Sequence, residues 1–320
     1  MNPPATRTPT VFSVSEIRDD EPRAGQAAPS HMLPLVVMAI VVVVWGLGPP
    51  TTKLVTAPPL IGTFVRFGIS SPLLLVVLAA RRRMLSRKVF IATALPGLSF
   101  GINLVFVFAT LQEATVSVLS TVVAMQPALL LVLAGPLFGE YPTGRQLAFT
   151  LAGVLGAVGV ILGAGSEIRS SWLGVGLAAL SLVTFTLYFV LTRLARFDNE
   201  VDPIEWMAGI NIWAFLSTII PILLLADRSD WAQFGGNDWL WIAIVAFVTG
   251  VFGHVLMTWL HGHLEAARSS LYILIMHLVA VGLAWWIHDE PVTWLQAISG
   301  GVVLLCVALV VTTPDRREVQ

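Results

Sequence analysis

Apolar residues run through this chain in stretches of about 20, the length at which a helix crosses a bilayer, separated by short polar intervals. The stretches do not alternate as strands of a barrel would. Helices are the open-ended way to satisfy every backbone N–H and C=O in lipid. The pattern predicts ten spans, at residues 33–56, 60–80, 90–111, 115–138, 144–164, 172–193, 205–226, 239–261, 267–288 and 292–312. Residues 1–32 are rich in Pro, Thr, Ser and charge and read as a disordered tail; residues 313–320 read as a cytoplasmic tail. A signal peptide does not fit, because the first apolar run begins at about Leu33, is long enough to span, and has no small-residue cleavage site behind it.

The pattern is written twice. Gln126–Gln146 aligns without a gap on Met276–Gln296, so that Glu140 falls on Glu290, Thr143 on Thr293 and Gln146 on Gln296, each 150 residues apart. Upstream, Phe100-Gly101 falls on Phe252-Gly253 and Glu113-Ala114 on Glu265-Ala266, at a shift of 152. The second half, 172–312, thus reads as a diverged copy of the first, 33–164. Five spans per copy is an odd number, so the copies enter the membrane from opposite sides. The expected fold class is an all-α polytopic membrane protein with ten transmembrane helices as two inverted five-helix repeats. Such repeats frame alternating-access carriers, whose site lies near the midplane.

Composition sharpens this. The chain is 56% hydrophobic and 12% charged, about half the charge of a soluble domain. Cys306 is the one cysteine, so a disulfide framework and a thiolate metal site are both excluded. A net charge of -1 gives no sign of nucleic acid as a partner. The basic residues set orientation. With a cytoplasmic amino terminus, fourteen of the 18 Lys and Arg fall inside and Arg169 and Arg228 outside, while Lys53 and Arg66 lie within spans. That positive-inside bias places both termini in the cytoplasm.

Trp45-Gly46 followed by Lys53, the Arg66-Phe67 pair, Pro127 thirteen residues before Gly139-Glu140, and the duplication together resemble the drug/metabolite transporter superfamily, in its ten-helix EamA-type branch. The resemblance covers residues 33–312. It implies a secondary carrier of export type for small metabolites, amino acids or drugs in a bacterial-type plasma (inner) membrane. The second copy departs from it, with His277 in the place of Pro127 and no counterpart to Arg66.

Several residues bear on mechanism. Thr143/Gln146 and Thr293/Gln296 fit capping boxes that open spans. Glu140 and Glu290 sit just before those helix starts, where the helix dipole favours negative charge, or else they gate. The run Gly46-Leu47-Gly48-Pro49-Pro50 interrupts the first span, and Pro127 beside Gln126 interrupts the fourth. Both breaks free carbonyls, and interrupted helices line cavities in carriers; the alternative is a packed kink. Lys53 and Arg66 near outer helix ends either snorkel to headgroups or hold an anionic group. Asn103, Gln126, Tyr188 and Asn211 either tie helices or face cargo. His254 and His277 are the most deeply placed titratable groups and the proton-coupling candidates; a hydrogen-bonded core histidine is the plainer reading. Gly153, Gly156, Gly159 and Gly163 make the fifth span a close-packing helix, within or between subunits.

The sequence therefore reads as a carrier and not an enzyme, with no cofactor. Trp45, Lys53, Arg66, Asn103, Gln126, Tyr188, Asn211, His254 and His277 are the candidate binding residues, and the two halves rock around them. Gly48, Pro49, Pro50, Pro127, Glu140 and Glu290 are the candidate gating or helix-break positions. The expected partners are a small-molecule substrate, the lipid bilayer and, in an oligomer, a second copy. Rival readings are an intramembrane metal-dependent enzyme using the histidines of the eighth and ninth spans, and a membrane scaffold or sensor.

Overall fold

The structure is a computed structural model and describes residues 32–138, 143–163, 171–195, 201–261 and 266–312. Glu140 and His263 lie outside them. Every regular element among the described residues is helical. In the first repeat these are α1 (Met32–Gly46), α2 (Gly48–Lys53), α3 (Pro59–Ala80), α4 (Arg87–Ala92), α5 (Ala94–Glu113), α6 (Val116–Ala124), α7 (Gln126–Phe138) and α8 (Gly144–Gly163). The second holds α9 (Trp172–Ala195), α10 (Pro203–Leu225), α11 (Arg228–Gln233) and α12 (Asp238–Ile244). A π-helical stretch, Val245–Phe252, then leads into α13 (Gly253–His261), followed by α14 (Ala266–His288) and α15 (Trp294–Thr312).

Helix starts follow local chemistry. Proline, whose missing N–H costs nothing in a first turn, opens α3 and α10. Ser86, Thr115 and Asp202 accept N–H groups of the first turns of α4, α6 and α10. Both expected capping boxes form. Thr143 Oγ1 accepts from Gln146 N–H at 3.2 Å while Gln146 Oε1 accepts from Thr143 N–H at 2.7 Å. The same pair of bonds joins Thr293 and Gln296 at 3.2 and 3.0 Å.

Seven described segments are long and apolar enough to cross a membrane: Met32–Lys53, Pro59–Ala80, Ala94–Glu113, Gly144–Gly163, Trp172–Ala195, Pro203–Leu225 and Asp238–Met257. Val116–Leu130, Ile275–His288 and Trp294–Val310 are shorter apolar helices. Leu155 and Leu223 to Leu225 point outward, more than 70% exposed, as a lipid-facing surface requires. Exposed tryptophans mark helix ends: Trp172 and Trp294 begin α9 and α15, Trp239 lies in the first turn of α12, and Trp285 and Trp286 in the last turn of α14. With a cytoplasmic amino terminus all of these ends fall on the outer side, at headgroup level.

The largest helix contacts all join one repeat to the other: α8 with α15, α5 with α9 and α10, α3 with α10, and α1 with α14. Two separately packed halves rocking against each other, the motion expected from the duplication, do not fit this interleaving; any moving body must draw helices from both repeats. The glycines of α8 explain one of the contacts. A Cβ at Gly156 would lie 3.0 Å from the Ser299 carbonyl, and one at Gly163 would lie 3.0 Å from Gln296 Cγ. This small-residue face is filled by α15 of the same chain, as close packing in lipid favours.

Candidate functional site

Prolines interrupt two helices. Pro49 and Pro50 have no N–H to offer the carbonyls of Trp45 and Gly46, and the first span breaks at Leu47 into α1 and α2. The Pro50 carbonyl accepts a hydrogen bond from His288 Nε2 at 2.8 Å, so α14 satisfies a group that lipid could not. Gly46 seats α1 on α14, where a Cβ would lie 2.7 Å from Val279 Cγ1. Gly48 faces Thr249. The second break is at Met125, between α6 and α7, directly before Gln126 and Pro127. Its copy, with His277 in place of Pro127, runs unbroken as α14.

The end of α2 carries the first cluster. Lys53 Nζ lies 2.5 Å from Glu290 Oε1 and donates to the Ala114 carbonyl at 2.7 Å. Glu290 Oε2 accepts from the Val116 N–H, at the start of α6, at 2.9 Å. Glu290 is 5% exposed and Lys53 18%. Lys53 therefore does not reach for headgroups. Glu290 serves the amino end of α6, in the other repeat, while the Thr293/Gln296 box caps α15. Neighbouring ties run along the same seam. The buried Asp238 carboxylate accepts from Thr56 N–H at 2.8 Å and from its hydroxyl. Ser171 Oγ donates to Glu113 at 2.9 Å, and Gln112 Nε2 to the Ala57 carbonyl at 2.8 Å. Among the described residues four acidic or basic side chains (Lys53, Glu113, Asp238 and Glu290) thus hold the two repeats together at this end.

A second cluster lies between the repeats, farther from that seam. The Trp45 indole stands edge-on to His254, ring centroids 5.1 Å apart. His254 is 6.3 Å from Phe100, and Phe100 packs on Tyr188 at 4.9 Å and on Phe67 at 5.8 Å. The Arg66 guanidinium lies over the Phe67 ring at 5.4 Å. A Cβ at Gly253 would be 2.5 Å from Trp45 Nε1, so only glycine admits the indole there. Arg66 is 8% exposed and does not snorkel. Trp45 Nε1 and Arg66 Nη1 are both buried without a hydrogen-bond partner, an uncommon state for native buried polar atoms.

Trp45, Arg66, Tyr188 and His254 are therefore brought together, by way of Phe67 and Phe100, which the sequence marks as motif and repeat positions but not as binding residues. Asn103 and Asn211 are engaged between helices. Asn103 Nδ2 donates to the Ser181 carbonyl at 2.8 Å, and Asn211 Oδ1 accepts from Ser70 Oγ at 2.7 Å. Gln126 opens α7 with its Nε2 buried and unpartnered. His277 lies in α14 and joins none of these ring contacts. Among the described residues no three His, Cys, Asp or Glu side chains converge to hold a metal.

A profile of the EamA-like transporter family matches twice, over residues 32–162 and 172–312. A protein of Archaeoglobus fulgidus named "Uncharacterized transporter" is 25% identical over 86% of this chain and 98% of its own length. The "Protein-methionine-sulfoxide reductase heme-binding subunit MsrQ" of Ralstonia nicotianae is 29% identical over 39% of this chain; the chain spans 61% of that relative. A protein of known crystal structure, 18% identical, superimposes with a TM-score of 0.58 over 87% of this chain and 97% of its own, a likeness of fold.

Proposed function

The chain belongs to the EamA-like transporter family and is a multi-pass membrane protein, and on that premise we propose that it is a secondary transporter exporting a small metabolite, amino acid or drug by alternating access. The ten apolar segments form two inverted five-helix repeats in a bacterial-type plasma membrane, both termini cytoplasmic. The bias of basic residues supports that orientation.

The observation that carries this reading is the pairing of the two clusters. Between the repeats lies a buried aromatic and basic group with hydrogen-bond donors unused. On its outer side the repeats are joined by Lys53, Glu290 and the neighbouring ties. An alternating-access carrier needs both parts: a site between bistable bodies, and contacts that form on one side and break on the other. We assign Trp45, Arg66, Tyr188 and His254 to the site and Lys53 with Glu290 to the outer gate. Gly48, Pro49 and Pro50 let α2 turn with that gate. Asn103 and Asn211 hold helices.

Counterflow into proteoliposomes tests the reading. Vesicles holding the purified full chain and preloaded with one solute of a panel of amino acids, nucleosides and anionic and cationic drugs are expected to accumulate the labelled form of at least one. Trp45→Ala should reduce that accumulation at least tenfold while the protein stays monodisperse. Accumulation by no member of the panel, with retained binding, would turn the reading away from transport. The match to a haem-binding subunit favours a redox alternative, which an absorption spectrum decides: a Soret band in the purified protein, lost in His254→Ala, would support it.

A further inference from the structure

We infer that the solute carries an anionic group, a carboxylate or its equivalent, on an apolar body, and that Arg66 is the residue that holds it. The inference rests on the transport reading for the location of the site.

Arg66 is a charge enclosed by the fold, and among the described residues no acidic side chain pairs with it. It is 8% exposed, and its Nη1 is buried without a hydrogen-bond partner. The ion pairs among the described residues use Lys53, Arg81 and Arg83. The buried carboxylates are occupied elsewhere, Glu290 by Lys53 and Val116, and Asp238 by Thr56. The groups near the guanidinium include the Phe67 ring, the backbone at Gly250, where a Cβ would lie 3.8 Å from Nη2, and the His254 ring one turn further on. A buried guanidinium without a counter-ion is strongly disfavoured unless something completes it.

The surroundings say what completes it. Gly250 and Gly253 lie three residues apart where the π-helical stretch passes into α13, and the indole of Trp45 lies against Gly253 with its N–H also unused. Two unused donors therefore approach the same segment, with the His254 ring beside the indole. A cation would meet the guanidinium and be repelled. A neutral amide would leave the charge unpaired. A carboxylate accepts from the planar fork of the guanidinium in two parallel bonds and has lone pairs to spare for an indole N–H. Phe67, Phe100 and Tyr188, in contact one with the next, make the surroundings of that segment apolar, which favours a solute whose remaining part is apolar.

Matched probes test this: benzoate against benzamide, phenylacetate against phenylacetamide, and benzylamine as the cation, each in thermal unfolding of the detergent-purified full chain and in proteoliposome counterflow. The carboxylates are expected to raise the melting temperature and the amides and the amine are not. Arg66→Gln should abolish that shift, and Arg66→Lys, a point charge without the fork, should weaken the apparent affinity at least tenfold. The empty Arg66→Gln protein should melt at or above the wild type, because it no longer buries an unpaired charge. A clearly lower melting temperature for the empty Arg66→Gln protein would overturn the inference, since it would show Arg66 to be a structural partner. So would amides or the amine stabilising as well as the carboxylates. If no probe shifts the wild type, the melting of the empty variant decides alone, in the same two directions. Counterflow separates the two readings: a solute exchanged equally by wild type and Arg66→Gln keeps the carrier and removes the anion site. Arg66-dependent carboxylate binding without exchange of any solute keeps the anion site and removes the carrier.

Discussion

Lys53→Met is expected to cost the folded protein about 3 kcal/mol or more, because breaking a desolvated ion pair from one side leaves an uncompensated charge. The charge left behind is Glu290, 5% exposed, with the Val116 N–H as its remaining partner. Glu290→Gln should fall in the same range. It removes the counter-ion of Lys53 and turns either an amide N–H toward the ammonium or an amide N–H toward the Val116 N–H. The double variant Lys53→Met/Glu290→Gln buries no charge, keeps an amide oxygen for the Val116 N–H, and is expected to recover most of the loss, so the two single effects should be far from additive. Exchanging the two residues should not rescue. Lys53→Glu would set a carboxylate against the Ala114 carbonyl that now accepts from Nζ, and Glu290→Lys would set an ammonium against the Val116 N–H. The geometry thus predicts a non-reversible pair, which simple charge attraction does not. Thermal unfolding of the four variants in detergent checks this, and additive single effects would dismiss the coupling. If the pair is the outer gate, the double variant should also shift counterflow more than its recovered stability explains, through a looser outer seam.

Much of this architecture was readable in advance. The starts of α3, α8, α9 and α10 fall within two residues of the expected spans, because Pro59, Thr143, Asp202 and Pro203 carry their own signals. The break at Pro127 was likewise legible, whereas the unbroken course of its copy through His277 is seen in the structure. The third span was less exact: residues 87–92 form the separate short helix α4, and α5 begins at Ala94.

The site was harder to read, for a physical reason. In a membrane the face toward lipid is as apolar as the face toward protein, so the pattern that fixes a span does not fix its rotation. Arg66 is the clearest case. It lies seven residues into α3, about 10 Å below the helix start at 1.5 Å per residue, within reach of the surface for a long side chain. Depth therefore allowed snorkelling, and only the packing of Phe67 and the π-helical stretch shows it enclosed. Lys53 and Glu290 are 237 positions apart, a separation to which helical periodicity does not reach.

Gly101→Ala is expected to prevent stable assembly, while the same change at Gly253, its counterpart in the duplication, is expected to spare the fold and abolish function. At Gly101 a Cβ would meet Ser217 Oγ and would lie 2.6 Å from the Ala214 carbonyl and 2.9 Å from its Cα. A serine can rotate away, but a helix backbone moves only as a whole. Four residues earlier Gly97 meets the Ile210 carbonyl at 2.8 Å, so α5 and α10 cross on a Gly-xxx-Gly face, in a bundle where α10 also packs on α3. Overpacking costs up to about 3 kcal/mol where side chains can adjust and more where they cannot, and the yield of monodisperse protein should fall accordingly. At Gly253 the obstacle is the Trp45 ring, 2.5 and 2.7 Å from the added carbon at Nε1 and Cδ1. The indole is half-buried and can swing, so Gly253→Ala should yield a folded protein whose melting temperature is near normal. Its indole would no longer stand against His254, and solute binding should drop at least tenfold. Size-exclusion profiles and melting curves of the two variants, followed by the benzoate shift on whichever survives, check the contrast. Normal assembly of Gly101→Ala would mean that α5 and α10 do not cross as closely as described. Unaltered binding in Gly253→Ala would remove Trp45 from the site.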